Sequence, residues 1–312
     1  MTRQYIRQVK LVIGQAGGEA IDLSQLHIKF TVRNATVETL KQADIRIYNV
    51  ADETAKKIQN EYTRVELHAG YGDNVGLIFQ GQVAMVKRGK ENATDSYVDV
   101  FGQDGDQAYN NAYLNTSLAK GWTPDDYYNA MMTAAKAYDI QPGFRPTFIG
   151  NPATRGAACY GMLRDHMRAF AETQGCEWNI EDGKLNLVPK TSYIPSQVPV
   201  INAGTGMVGT PVQTIQGIEV QCLLNPMVKA GGQIQIDNAS LATQVQRPNY
   251  QPGGSAPLPP AGTDADGYYK ALCVTHVGDT RGQPFYTYII GVAVDGTAPL
   301  TGPTLTAVPD GR

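Results

Sequence analysis

The sequence predicts a mainly β protein with an α+β centre, in which two β-domains flank a helical segment that carries a β-hairpin. Three observations lead there. Apolar and polar residues alternate up to about Gln107, the spacing changes to threes and fours past Tyr109, and alternation returns in the last third. The 312 residues suit two or three domains, and 33 Gly and 18 Pro supply the frequent turns that many short strands need. The expected division is a first β-domain over residues 1–107 with a short helix near 52–60, a central α+β domain over 108–194, and a second β-domain over 195–312.

In the first domain Ile28, Phe30 and Val32 alternate with Lys29, Thr31 and Arg33, so one face of that strand is core. Ile45 and Ile47 repeat the pattern, as do Val65 and Leu67, then Leu77, Phe79 and Val83, and finally Val98 and Val100. With an amino-terminal strand from around Tyr5 to Ile13 there are about six strands, enough for a small barrel or sandwich. Asp52 stands where a helix N-cap is expected, Glu53 adds negative charge to the first turn, and Ala55, Ile58 and Gln59 allow about two helical turns. A helix so short is stable only when packed, and the barrel is its natural partner.

In the centre, Thr123 followed by Pro124, Asp125 and Asp126 predicts a helix start, with Tyr127, Met131 and Ala134 on one face and an end near Tyr138. Tyr160, Leu163, Met167 and Phe170 predict a second helix opening near Gly156 and closing at Gly175. Glu177 to Ile180 and Lys184 to Leu187 then read as a hairpin over Asp182 and Gly183 in a type I′ turn. The last third offers strands over Ile215 to Leu223, Gly232 to Ile236, Tyr268 to Val277 and Phe285 to Val294. Between them the Pro/Gly-rich stretch 247–266 is expected to be an exposed, partly disordered loop, and the tail beyond Asp295 to order only against a partner.

No stretch is placed for chemistry. The run Gly70 to Gly76 lacks the GK[ST] ending of a phosphate loop and leads into a strand, so it reads as a β-turn. Asp104 and Asp106 resemble a DxD metal pair but have no further carboxylate at useful spacing, which leaves a strand-ending turn. His166 has no second His or Cys at helical spacing. His276, Asp279 and Arg281 could cluster on a loop, yet no nucleophile or carboxylate pair accompanies them, and a hairpin loop is the better reading. Cys159, Cys176, Cys222 and Cys273 lack CxxC spacing and read as free, buried thiols. No catalytic, cofactor or metal residue is assigned. A net charge of -3 leaves no excess of cations for stable nucleic-acid binding, and the apolar run Tyr288 to Val294 is too short to span a membrane. A soluble protein made in a cytoplasm is expected.

The order of IYNV, DETAKKI, HAGYG, IFQGQV and FGQDGD resembles the first domain of phage baseplate hub proteins. CEWNIEDGKLNLVPK and YYKALCVTHVGDTRGQPFY are similar to segments of their central and final domains, so the resemblance spans nearly the whole chain. Hub proteins of related contractile injection machines fit almost as well. The resemblance implies a structural, non-enzymatic homotrimer in which each chain supplies two tail-tube-like β-barrel domains. Three chains would then form a pseudo-sixfold ring, a symmetry adaptor between a sixfold tail tube above and a central spike below, with a channel for genome passage. It further implies contacts with a tape measure and other baseplate proteins, and a place in the virion tail after assembly in the host bacterial cytoplasm. A mildly acidic lumen would repel DNA phosphates. Two alternatives stand beside this reading. A tail-associated peptidoglycan-degrading enzyme would need a carboxylate pair, for which Glu172 and Glu177 are the nearest candidates. A carbohydrate-binding receptor module would need exposed aromatics, which some of the 17 Tyr could supply.

Overall fold

A computed structural model describes residues 6–15, 17–36, 39–214, 217–236 and 267–292. The loop expected over 247–266 and the tail beyond Asp295 lie outside the described residues. The first part of the chain runs through β1 (Arg7–Gly14), β2 (Ala20–Asp22), β3 (Ile28–Ala35), β4 (Gln42–Tyr48), α1 (Asp52–Asn60), β5 (Arg64–Tyr71), β6 (Asn74–Lys90) and β7 (Ser96–Gln103). The centre holds α2 (Asp106–Asn111), β8 (Tyr113–Leu118), α3 (Pro124–Lys136), β9 (Gln141–Pro142), β10 (Ala157–Met162), α4 (Leu163–Thr173), β11 (Cys176–Glu181) and β12 (Lys184–Pro189). Then follow β13 (Val200–Ile201), β14 (Met207–Thr214), β15 (Gly217–Leu223), β16 (Gln233–Ile236), β17 (Tyr268–Asp279) and β18 (Phe285–Val292).

The first and last parts share one sheet of 13 strands, in the order β14-β15-β18-β17-β3-β4-β7-β6-β5-β1-β2, with β16 on β17 and β13 on β16. Its junction is the antiparallel pair β3–β17, where Ala35 lies opposite Cys273 and Lys29 opposite Asp279. The sheet rolls up on itself. Leu11 and Ile13 of β1, far from β3 in strand order, share a buried core with Phe30, Val32 and Phe285. The Tyr71 hydroxyl donates to the Phe285 carbonyl (3.2 Å), and Arg7 donates to the carbonyls of Gly282 (2.6 Å) and Gln283 (2.8 Å) with its guanidinium over the Phe285 ring. These contacts fasten the β1–β5 side of the roll to the β17–β18 hairpin.

Alternation places Ile28, Phe30, Val32, Ile45, Ile47, Val65, Leu67, Val98 and Val100 inward as expected. Leu77 departs from the expectation. A bulge opposite Leu67 and His68 inserts one residue into β6, so Ile78 and Phe79 are both buried and Leu77 is only partly so. α1 lays Ala55 and Ile58 on the same core. Its N-cap is Ala51, not Asp52, and no side chain caps it. Asp52 is the first helical residue and pairs instead with Arg88 of β6 (2.6 Å), keeping its negative charge at the helix start.

The centre has its own core, built from Tyr128 and Met131 of α3, Met167 and Phe170 of α4, and Trp178 and Leu185 of the hairpin. Thr123 caps α3 in a reciprocal capping box with Asp126, and Pro124 opens the helix. The helix ends at Lys136, with Tyr128, Met131, Met132 and Ala135 buried while Tyr127 and Ala134 pack at the edge. The second helix opens at Leu163, not near Gly156. Ala157–Met162 is β10, paired with β8, and Tyr160 is 72% exposed. The hairpin is as expected, with Asp182 (φ 53) and Gly183 (φ 70) in the left-handed conformations that a type I′ turn requires. A third core under β15–β18 contains Ile218, Val220, Ile234, Val274 and Ile289.

Candidate functional site

The residues singled out by sequence do not assemble into a reactive centre. Gly70 to Gly76 is the β5–β6 hairpin, with Tyr71 opposite Asn74 and Gly72 at φ 53. Asp106 begins α2, whereas Asp104 is buried and accepts the Gly183 amide (3.0 Å). Burial pushes the Asp104 carboxyl up to about 7, against that hydrogen bond and the charge of Lys41. His166 Nδ1 lies 2.7 Å from the Tyr127 hydroxyl on the neighbouring helix. His276 is buried against the Thr287 hydroxyl (2.9 Å), and burial, reinforced by the charges of Lys41 and Lys229, pulls it down to about 3.

Asp279 instead serves the hairpin loop, taking the amides of Arg281 and Gly282 and pairing with His27 (2.8 Å). Arg281 is exposed, so the three residues share no site. Glu172 is solvated, and Glu177 is bound to the fully buried Lys270 of β17 (3.4 Å). All four cysteines are free; burial raises Cys176 to about 11 and Cys222 to about 12, which keeps both as unreactive thiols. Among the described residues no group of His, Cys, Asp and Glu is arranged to hold a metal, and no helix is long and apolar enough to cross a membrane.

A trough of ≈ 640 Å³ lies on the outer face of the roll. Strand pairing builds its floor in two rows. Asp279, Lys29, Arg46, Asp99 and Lys87 lie side by side on β17, β3, β4, β7 and β6, and Val277, Thr31, Asp44, Phe101 and Met85 form the next row. A bulge between Val83 and Met85 turns Met85 and Lys87 to this face, leaving Met85 47% exposed.

Several charges of the floor are paired. Arg46 grips Asp99 through two bonds (2.7 and 2.9 Å) and lies over the Tyr97 ring, and the Asp99 carboxylate raises its pKa further. Arg33 pairs with Asp44 (2.9 Å), and Lys29 donates to the Tyr48 hydroxyl (3.0 Å), a bond that raises its pKa. The paired groups can be covered by another protein without being stranded, and the exposed Met85 suits that use. Sequence alternation read Lys29, Thr31 and Arg33 as the outward side of β3, but the alignment of five strands depends on the β3–β17 junction, which joins residues more than two hundred apart.

No protein-family model and no curated protein matches the chain. Solved structures do. The 43 kDa tail protein of prophage MuSo2 from Shewanella oneidensis aligns with 96% of this chain and 100% of its own, at TM-score 0.59 and 9% identity. The tail protein of Neisseria meningitidis MC58 aligns with 98% of this chain and 100% of its own, at TM-score 0.58 and 11% identity. The fold is that of phage tail proteins. A type VI secretion component of E. coli, c3393, described as structurally similar to the T4 tail proteins gp27 and gp5, shares it over 87% of this chain and 74% of its own, at TM-score 0.52 and 10% identity. At such identity the tail-protein fold holds the path of the chain constant while nearly every side chain differs, so no residue role is carried across.

Proposed function

We propose that this protein is a structural hub of a phage tail or a related contractile injection machine, a homotrimer whose chains each give two tube-like β-domains to a pseudo-sixfold ring around a channel. The reading divides the chain at residues 1–107, 108–194 and 195–312 and joins the ring to a tube above and a spike below. The observation behind it is the likeness to two phage tail proteins along their entire lengths. The trough supports it as a face for a neighbouring subunit, since Arg33, Asp44, Arg46 and Asp99 are already paired and Met85 is exposed. Catalysis by Glu172 and Glu177 has no such support, because Glu177 is committed to Lys270.

Mass measurement of the purified chain, alone and mixed with a candidate spike protein, tests the proposal. A trimer that binds spike is expected. A chain that stays monomeric at high concentration, with and without spike, overturns it. A zymogram on cell-wall substrate is expected to show no clearing; a lytic band would restore the enzymatic alternative.

A further inference from the structure

The central segment 106–189 meets the rolled sheet through a seam where cations of the sheet side pair with carboxylates of the centre, and where one sheet-side carboxyl, Asp104, accepts the Gly183 amide. The sheet presents Lys41, Lys229, Lys270 and Arg64, and the centre presents Glu181, Asp182, Glu177 and Asp139. Lys41 reaches Glu181 (3.3 Å) and Asp182 (2.8 Å), Lys229 reaches Asp182 (2.8 Å), Lys270 reaches Glu177 (3.4 Å), and Arg64 reaches Asp139 (3.7 Å). Five ion pairs thus cross with one polarity. Burial opposes the charge on Lys41, yet Glu181 and Asp182 raise its pKa, and Lys41 with Lys229 hold Asp182 below the usual carboxylate range despite its own burial.

Apolar contact across the seam includes Val188 of β12, fully buried beside Gly231. Leu40 is the one buried residue from outside the segment that joins the central core among the described residues, and it forms a single bridge with Ile180. Asn34, Thr36 and Asn179 bury polar atoms there that find no partner among the described protein groups. Both chain connections leave the segment beside this seam. One passes through Gly105, which has φ 70 and lies against Ile180; the other runs from Lys190 to Pro199 with almost no regular structure.

We propose that segment 106–189 is an electrostatically docked module that separates from the sheet as a unit, pivoting at Gly105 and at 190–199. A module with its own core keeps its fold when undocked, whereas opening the seam returns eight charged groups to water against the lost burial of Leu40 and Val188. The inference stands on the seam alone, whatever the chain assembles with.

The test uses the full chain with spin labels at Lys56→Cys on α1 and Ile149→Cys on the centre, both exposed positions. The parent protein is expected to give a narrow, short distance distribution. Lys229→Glu, at a half-exposed position, and Lys270→Glu are each expected to move a several-fold larger population to longer distances. Adding Glu177→Lys to Lys270→Glu is expected to bring the short distance back. Hydrogen exchange of β3, β4 and α4 is expected to keep its protection throughout. Unchanged distances in Lys229→Glu, or loss of protection in the sheet and centre together, would overturn the proposal.

Discussion

Lys270 and Glu177 make an asymmetric pair, and the asymmetry fixes the order of two mutational costs. The Lys270 side chain is 1% exposed and, among the described residues, reaches Glu177 (3.4 Å) and the Pro189 carbonyl (3.1 Å), while Glu177 keeps 15% exposure. Glu177→Gln leaves an ammonium in a dry site with only neutral acceptors, and stranding a buried charge costs about 3–5 kcal/mol. Lys270→Met fills the same volume with an apolar chain and leaves a carboxylate that can still turn to water, so roughly 1–2 kcal/mol is expected. The double variant, with no buried charge left, is expected to cost less than Glu177→Gln alone.

A pH signature accompanies these costs. Burial already lowers the Lys270 pKa against the pull of Glu177, and losing Glu177 lowers it more. A lysine depressed in the folded state favours folding more as pH rises through its folded value towards its unfolded one. Glu177→Gln should therefore recover stability on the alkaline side, where the parent protein gains little. Urea melts of the four proteins from neutral to alkaline pH measure both effects. A smaller cost for Glu177→Gln than for Lys270→Met, or strict additivity in the double variant, would refute the reasoning.

Three further outcomes are expected. The Asp104 carboxyl is raised from 3.8 to about 7 when folded, so its contribution is complete below about 4 and is lost as pH rises to about 7; Asp104→Asn should abolish that part of the Tm–pH curve in calorimetry. Thr123→Ala removes the capping box of α3 and should cost about 1 kcal/mol in a denaturant melt. Met85→Asp, at an exposed trough position, should leave monomer stability within about 0.5 kcal/mol while lowering the assembled fraction seen by native mass spectrometry.

Much of the fold could be read locally. The Thr123 cap, the Asp182–Gly183 turn and the alternation around Phe30 and Ile45 each rest on a few adjacent residues, and each is present. The misread start of α4 has a different cause. Tyr160, Leu163, Met167 and Phe170 fit helical spacing, but Ala157–Met162 is a strand because β8 lies beside it, and one sequence window cannot register a partner forty residues away. Leu77 failed for a related reason, since a bulge is set by both strands. The seam was not legible at all: Lys41 and Lys270 look like solvent-facing lysines until the hairpin carboxylates are folded over them.

The β3–β17 pairing also dictates an order of events as the chain emerges from a ribosome. The edge of β3 is covered only by residues 273–279, and the first core takes Phe285 from farther on. Segment 106–189, complete in itself, can fold while that edge still waits with its amide and carbonyl groups open. The nascent protein therefore passes through a long interval in which its middle is finished and its beginning is adhesive. A truncation before Tyr268 would make that interval permanent, and such a fragment should aggregate through β3 instead of behaving as a smaller version of the whole.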